Sequence, residues 1–202
     1  MRFERRPRLG QGWLPLALAA ALLGDVLGQE APLLLDINPR TGPSFPRMLV
    51  ASGERLFFAA DDGEHGCDPW ISDGTEAGTF ILKDIPGCPS EAIAFKGGFL
   101  FAGGELWTSD GTPQGILLLG GNPGYTLYPR RLTLFGDKVV FRGTGSDGTE
   151  LWVTDGTAEG TTRLKNLAAL SSFPRGFTVL GGFVYFWADS DPVGGLWRSD
   201  GT

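Results

Sequence analysis

The sequence predicts an all-β fold, a β-propeller of four-stranded antiparallel blades with about four blades present. Three observations predict it. A Trp-x-Ser/Thr-Asp-Gly-Thr motif occurs four times, its last four residues at 72–75, 109–112, 154–157 and 199–202. A tryptophan stands three residues before each aspartate (Trp70, Trp107, Trp152, Trp197), at spacings of 37, 45 and 45. Short apolar stretches broken by glycine fill the intervals, with no helical period after residue 28. Four short strands in about 45 residues is the period of a propeller blade.

The N-terminus comes first. Residues 1–28 read as a secretory signal peptide. Arg2, Arg5, Arg6 and Arg8 make a positive start, Leu14–Leu23 an apolar centre, and Val26 and Gly28 the small residues that favour cleavage before Gln29. The apolar stretch is about ten residues, half of the ~20 a membrane-spanning helix needs. Left uncleaved, the same segment would be a membrane anchor. After cleavage no stretch is long and apolar enough for stable membrane insertion.

Cleavage also changes the charge. The full chain carries 17 basic and 23 acidic residues, a net charge of −6. Removing 1–28 leaves 13 against 21, a net charge of −8. That balance argues against nucleic acid or an anionic membrane as partner, since both require a basic face.

Residues 29–202 divide into units at about 43–85, 86–125, 126–168 and 171–202. In each, a first strand leads to a glycine-containing turn, placed at Gly53-Glu54, Gly97-Gly98, Gly136-Asp137 and Gly181-Gly182. Glycine there supplies the positive φ of a tight hairpin. The second strand carries Phe57-Phe58, Phe99–Phe101, Val139–Phe141 or Val184–Phe186. The third holds the tryptophan, and the fourth follows the Asp-Gly-Thr turn. Unit two is about seven residues short, between Phe101 and Trp107, which places the deletion in the loop between strands two and three. An aromatic-Pro-Arg triplet opens units one, three and four at Phe45, Tyr128 and Phe173; unit two has Cys88-Pro89-Ser90 instead. At the ends, 31–37 resembles a fourth strand, and the chain stops at Asp200-Gly201-Thr202. Two readings follow: residues 31–37 are a strand that closes the last blade into a four-bladed ring, or the chain is a fragment of a larger propeller, which a stop inside a turn motif slightly favours.

Cys67 and Cys88 are the two cysteines. In an exported chain an even count suggests one disulfide across the first two units; two free thiols are the alternative.

Two segments, Glu105–Thr112 and Glu150–Thr157, read Glu-Leu-Trp-x-x-Asp-Gly-Thr. They resemble the ELWxxDGT-repeat family. Gly195-Leu196-Trp197 lacks the glutamate, and Cys67-Asp68-Pro69-Trp70 departs further. The resemblance spans about 33–202. It implies a bacterial, exported, propeller-like protein and no established activity.

The repeated residues are turn and core chemistry. Aspartate bonds backbone two residues on, glycine supplies positive φ, and threonine re-enters the strand. Asp73-Gly74-Thr75, Asp110-Gly111-Thr112, Asp155-Gly156-Thr157 and Asp200-Gly201-Thr202 are therefore expected to be structural, as are the tryptophans. Asp61-Asp62-Gly63-Glu64, Asp189-Ser190-Asp191 and Asp147 with Glu150 offer hard oxygen ligands, but none has calcium-loop spacing and solvated turns explain them better. His65 is the only histidine, which argues against the usual zinc sites. No Gly-x-Ser-x-Gly elbow is present, and the glycine-rich Gly120-Gly121-Asn122 precedes no helix. No catalytic residue, metal or cofactor is thus expected. The sequence points to a secreted or cell-surface binding scaffold with a protein or glycan ligand. A carbohydrate-binding or carbohydrate-active propeller is the alternative.

Overall fold

The computed structural model describes residues 33–202 except 41, 121–125, 147, 169–170 and 191–192. The expected signal segment, residues 31–32 and Asp147 lie outside the described residues.

The architecture is all-β. The first sheet contains β1 (Arg47–Ser52), β2 (Arg55–Asp61), β3 (Cys67–Ser72) and β4 (Phe80–Ile81) in that order. The second contains β5 (Glu91–Phe95), β6 (Gly98–Gly103), β7 (Glu105–Ser109) and β8 (Ile116–Leu118). The third contains β9 (Arg130–Phe135), β10 (Lys138–Gly145), β11 (Gly148–Thr154) and β12 (Thr162–Lys165). The fourth has three strands, β13 (Arg175–Leu180), β14 (Phe183–Ala188) and β15 (Gly195–Ser199). Every pair is antiparallel, and the first strands β1, β5, β9 and β13 lie side by side in succession.

Side chains alternate across the two central strands of each sheet, so each sheet has two apolar faces. One carries the tryptophan and its aromatic cross-strand neighbour: Phe58 with Trp70, Phe101 with Trp107, Phe141 with Trp152, Phe186 with Trp197. This face packs against the preceding sheet, and the opposite face packs against the next. Phe57 and Ile71 thus meet Phe99, Phe101 and Trp107. Leu100 and Leu106 meet Val139, Phe141 and Trp152. Val140, Leu151 and Val153 meet Val184, Phe186 and Trp197. The four indole Nε1–H groups are buried without a partner, a cost accepted in exchange for the aromatic area each ring buries.

The strand that would close a four-bladed ring does not form. Residues 33–37 join no sheet. Ile37 instead packs beside Phe58, Ala60 and Trp70, on the face of the first sheet that has no preceding unit. Leu33 remains 80% exposed. Among the described residues no buried cluster joins the fourth sheet to the first, and Trp187 and Leu196 on its far face stay exposed. The four sheets therefore stand as an open propeller row.

The hairpin turns match the sequence at Gly53-Glu54, Gly136-Asp137 and Gly181-Gly182, and differ in the second sheet. There Phe95 pairs with Gly98, so the turn is Lys96-Gly97, both left-handed (φ 49° and 78°). Gly98 serves another purpose: a Cβ on it would lie 2.2 Å from the Ser109 carbonyl oxygen. The short loop of unit two is the single residue Gly104 between β6 and β7.

Candidate functional site

Antiparallel topology sorts the connections onto two rims. The hairpins between first and second strands share one rim with the Asp-Gly-Thr turns. The opposite rim carries the loops between second and third strands and the linkers entering each new unit.

The first rim is constant and closed on itself. In the third sheet, Thr157 donates to Asp155 Oδ1 from both its backbone N–H (2.9 Å) and its hydroxyl (2.7 Å). Gly156, at φ 92°, donates its N–H to Thr154 Oγ1, and Gly160 donates to Thr157 Oγ1. The first and second sheets repeat this set at Asp73-Gly74-Thr75 and Asp110-Gly111-Thr112. Asp200 accepts both bonds from Thr202, and Gly201 donates to Ser199. A cation on the hairpin of one unit then caps the turn of the next. Arg55 donates to the Asp110 carbonyl, Lys96 to that of Asp155, and Lys138 to that of Gly201. Oδ1 of each aspartate, the glycine N–H and the threonine N–H and hydroxyl are thus engaged within the turn.

Sequence reasoning missed one member of the motif, the glycine five residues after the aspartate. A Cβ on Gly78, Gly115 or Gly160 would stand 2.0 Å from the carboxylate of Asp73, Asp110 or Asp155. Its signal was the fixed spacing itself. Gly160→Ala is expected to destabilise the protein by ~1–3 kcal/mol, the range for overpacking, because Thr157 locks the carboxylate in place. Thermal melts of the variant check this.

The threonine hydrogen bonds hold the carboxyls of Asp73, Asp110, Asp155 and Asp200 below the ordinary value of 3.8. A lowered folded-state pKa means stability that is complete above the unfolded value and is lost as pH falls through the folded one. Tryptophan fluorescence in an acid titration should therefore show unfolding begin below about pH 4. Asp155→Asn should flatten that limb, and an unchanged limb would refute the linkage.

The glutamate that precedes Leu-Trp in the second and third units acts at the other rim, as a clamp on the linker to the next unit. Glu105 Oε2 accepts the Leu127 N–H, and buried Glu150 accepts from Leu167 and Ser172. Asp68 holds the Ile85 N–H in the same way. Burial pushes the Asp68 carboxyl up, and its Oδ2 has no partner.

The loop rim varies from unit to unit. Asp62 caps the first loop by accepting the Glu64 and His65 N–H groups and the His65 ring Nδ1 at 2.7 Å. Burial alone would raise the Asp62 carboxyl, but these bonds outweigh it and hold it at about 2. Cys67 and Cys88 are joined by a disulfide that ties the first sheet to the second unit, with Arg47 hydrogen-bonded to both sulfurs. Among the described residues no three His, Cys, Asp or Glu side chains form a metal-binding group; of the carboxylates read from the sequence as candidate cation ligands, Asp191 as well as Asp147 lies outside them.

Three linkers end in the same unusual corner. Phe45, Tyr128 and Phe173, each followed by proline, are left-handed at φ 44°, 45° and 45°. They are 69%, 56% and 47% exposed. Three residues on, Met48, Arg131 and Gly176 are left-handed too, and β1, β9 and β13 each shift register there against the next strand. The second sheet has neither feature: Glu91 to Phe95 pair in unbroken register with Ala102 to Gly98. Near these corners Arg130 stands directly opposite Arg142, and Arg175 bonds Asp189 at 3.3 Å. Burial, with Arg131 and Arg130 close by, lowers the Arg142 pKa.

No family model matches the chain, and no curated protein matches it. Solved structures of propeller proteins do. Puromycin hydrolase superposes with a TM-score of 0.52 at 17% identity, over 77% of this chain and 26% of that one. The computationally designed Ika4 protein gives 0.49 at 17% identity, over 85% of this chain and 98% of that one. TolB from Acinetobacter baumannii gives 0.44 at 16% identity, over 75% and 43%. The chain spans about a quarter of the length of puromycin hydrolase. At 17% identity the likeness to puromycin hydrolase concerns the fold alone, which is propeller-like.

Proposed function

We propose that the protein works outside the cell, secreted or at the cell surface, as a non-catalytic β-propeller binding scaffold whose ligand site lies on the loop rim. The observation that carries this reading is the contrast between the rims. One engages its turn groups within itself and is uniform. The other varies between units and holds large aromatic side chains in water, where a role in folding alone does not place them. The disulfide suits an oxidising compartment. No helix among the described residues is long and apolar enough to cross a membrane. The exposed rings also favour the alternative ligand class, a glycan. Displaying the mature chain against a glycan array and a panel of chromogenic glycosides tests the reading. Binding without turnover is expected; turnover lost on mutating one acidic pair would replace the scaffold with an enzyme.

A further inference from the structure

We propose that the aromatic-Pro-Arg corners at Phe45, Tyr128 and Phe173 are repeated subsites for an anionic polysaccharide, each offering a ring to a sugar face and nearby arginines to its acidic groups. This rests on the scaffold reading above and adds the ligand and the place.

The corners are strained without a structural need. A bulky residue at positive φ is an outlier, and a following proline disfavours compact backbone further. Such conformations are costly and persist where surrounding structure enforces them. Here five non-glycine residues adopt them at equivalent places: Phe45, Met48, Tyr128, Arg131 and Phe173. The second unit is an internal control. It builds the same four-stranded sheet without a left-handed Cys88 or Glu91 and without a bulge. The blade therefore does not require the corner. Bulges re-aim side chains and cluster beside functional sites.

The chain is acidic overall, yet arginine gathers at these corners. Arg130 and Arg142 face each other across β9 and β10, where like charges destabilise a sheet. Among the described residues Arg142 makes no ion pair. Of the acids near this group, Glu91 accepts the Leu132 N–H and its charge offsets only part of the repulsion on Arg142, and Asp189 pairs with Arg175. A half-buried arginine opposite another arginine is relieved by an incoming anion. Guanidinium matches a carboxylate or sulfate with two parallel hydrogen bonds.

The corners open β1, β9 and β13, three of the four first strands that lie side by side in succession, with β5 between β1 and β9, so they share one rim of the row. Repeated subsites of like chemistry suit a ligand with a repeating unit. The rings favour a sugar polymer over an acidic peptide, whose side chains offer no flat C–H face for stacking.

Calorimetric titration of the disulfide-intact mature protein tests this, using oligogalacturonates of increasing length, neutral cello-oligosaccharides and polyglutamate. Affinity for the oligogalacturonates should rise with length and fall with salt, and the neutral sugars should bind at least tenfold more weakly. Tyr128→Gly should cost tenfold or more in affinity while the melting temperature holds or rises, because glycine relieves the left-handed corner. Arg142→Gln should lower affinity by a similar factor and reduce the salt dependence. Wild-type affinity in both variants, or no length dependence, overturns the site. Equal or tighter binding of polyglutamate overturns the polysaccharide and leaves the scaffold standing. Release of new reducing ends from the oligogalacturonates overturns the non-catalytic reading instead.

Discussion

Replacing Phe101 with alanine is expected to lower the unfolding free energy by about 3–5 kcal/mol, the range for emptying a fully buried aromatic position. Phe101 is 0% exposed. It sits on β6 directly opposite Trp107 and stacks on it at 6.4 Å between ring centroids. On its other side Phe57 of the first sheet approaches to 5.0 Å. One ring therefore joins the second sheet internally and also joins it to the first. Cross-strand pairing and the disulfide hold the surrounding backbone in place, so the cavity cannot close fully. In a row of sheets each unit is stabilised mainly by its neighbours. The loss should therefore appear as an earlier unfolding transition in urea, monitored by tryptophan fluorescence. Leu134→Ala, at a position 51% exposed, is the control and should change stability by less than ~0.5 kcal/mol. Equal effects from the two variants would contradict the assigned core.

Glu150→Ala is the second large expected loss. The side chain is 0% exposed and accepts three hydrogen bonds: from Leu167 N–H at 3.3 Å, Ser172 N–H at 3.2 Å and Ser172 Oγ at 2.5 Å. Alanine leaves the Leu167 N–H and the Ser172 hydroxyl without this acceptor, at about 1–3 kcal/mol for each orphaned group, while the Ser172 N–H keeps its bond to the Thr149 carbonyl. The expected total exceeds that of Glu105→Ala, which releases only the Leu127 N–H. Hydrogen exchange localises the effect: amide protection at Leu167 should fall while that of β2 and β6 persists. Unchanged protection at that amide would show that the carboxylate is not the clamp.

How much of this was legible in the sequence differs from element to element. The Asp-Gly-Thr turns were read correctly as turns because their chemistry is local. Asp155, Gly156 and Thr157 satisfy one another within three residues. The short loop of unit two was legible for a similar reason, since the strands on either side are fixed by Phe101 and Trp107. The Lys96-Gly97 turn was misplaced by one residue. Two glycines in succession look equally suited to a hairpin, and only the close approach of Gly98 to Ser109 on β7 decides which one stays in the strand. The motif glutamate looked like part of a signature and proved to be a clamp, because its partners lie about 20 residues away in sequence. The aromatic-Pro-Arg triplets were visible as a repeat. Their left-handed corners were not, because proline after an aromatic ordinarily signals extended backbone.

The sequence by itself determined the repeat, its strands and its turns. Hydrophobic alternation and turn chemistry act over a few residues, and four copies of the same pattern reinforce the reading. Only the tertiary structure decided how the copies meet. It set which face of each sheet looks to the next and where Ile37 packs. It also left the row open, without the strand that would close it. Those outcomes depend on which apolar surfaces find each other across long separations, and no local pattern encodes that choice. The same holds for the candidate site. Its rings and arginines are scattered from Phe45 to Arg175 along the chain, and the side-by-side packing of the first strands gathers them onto one rim.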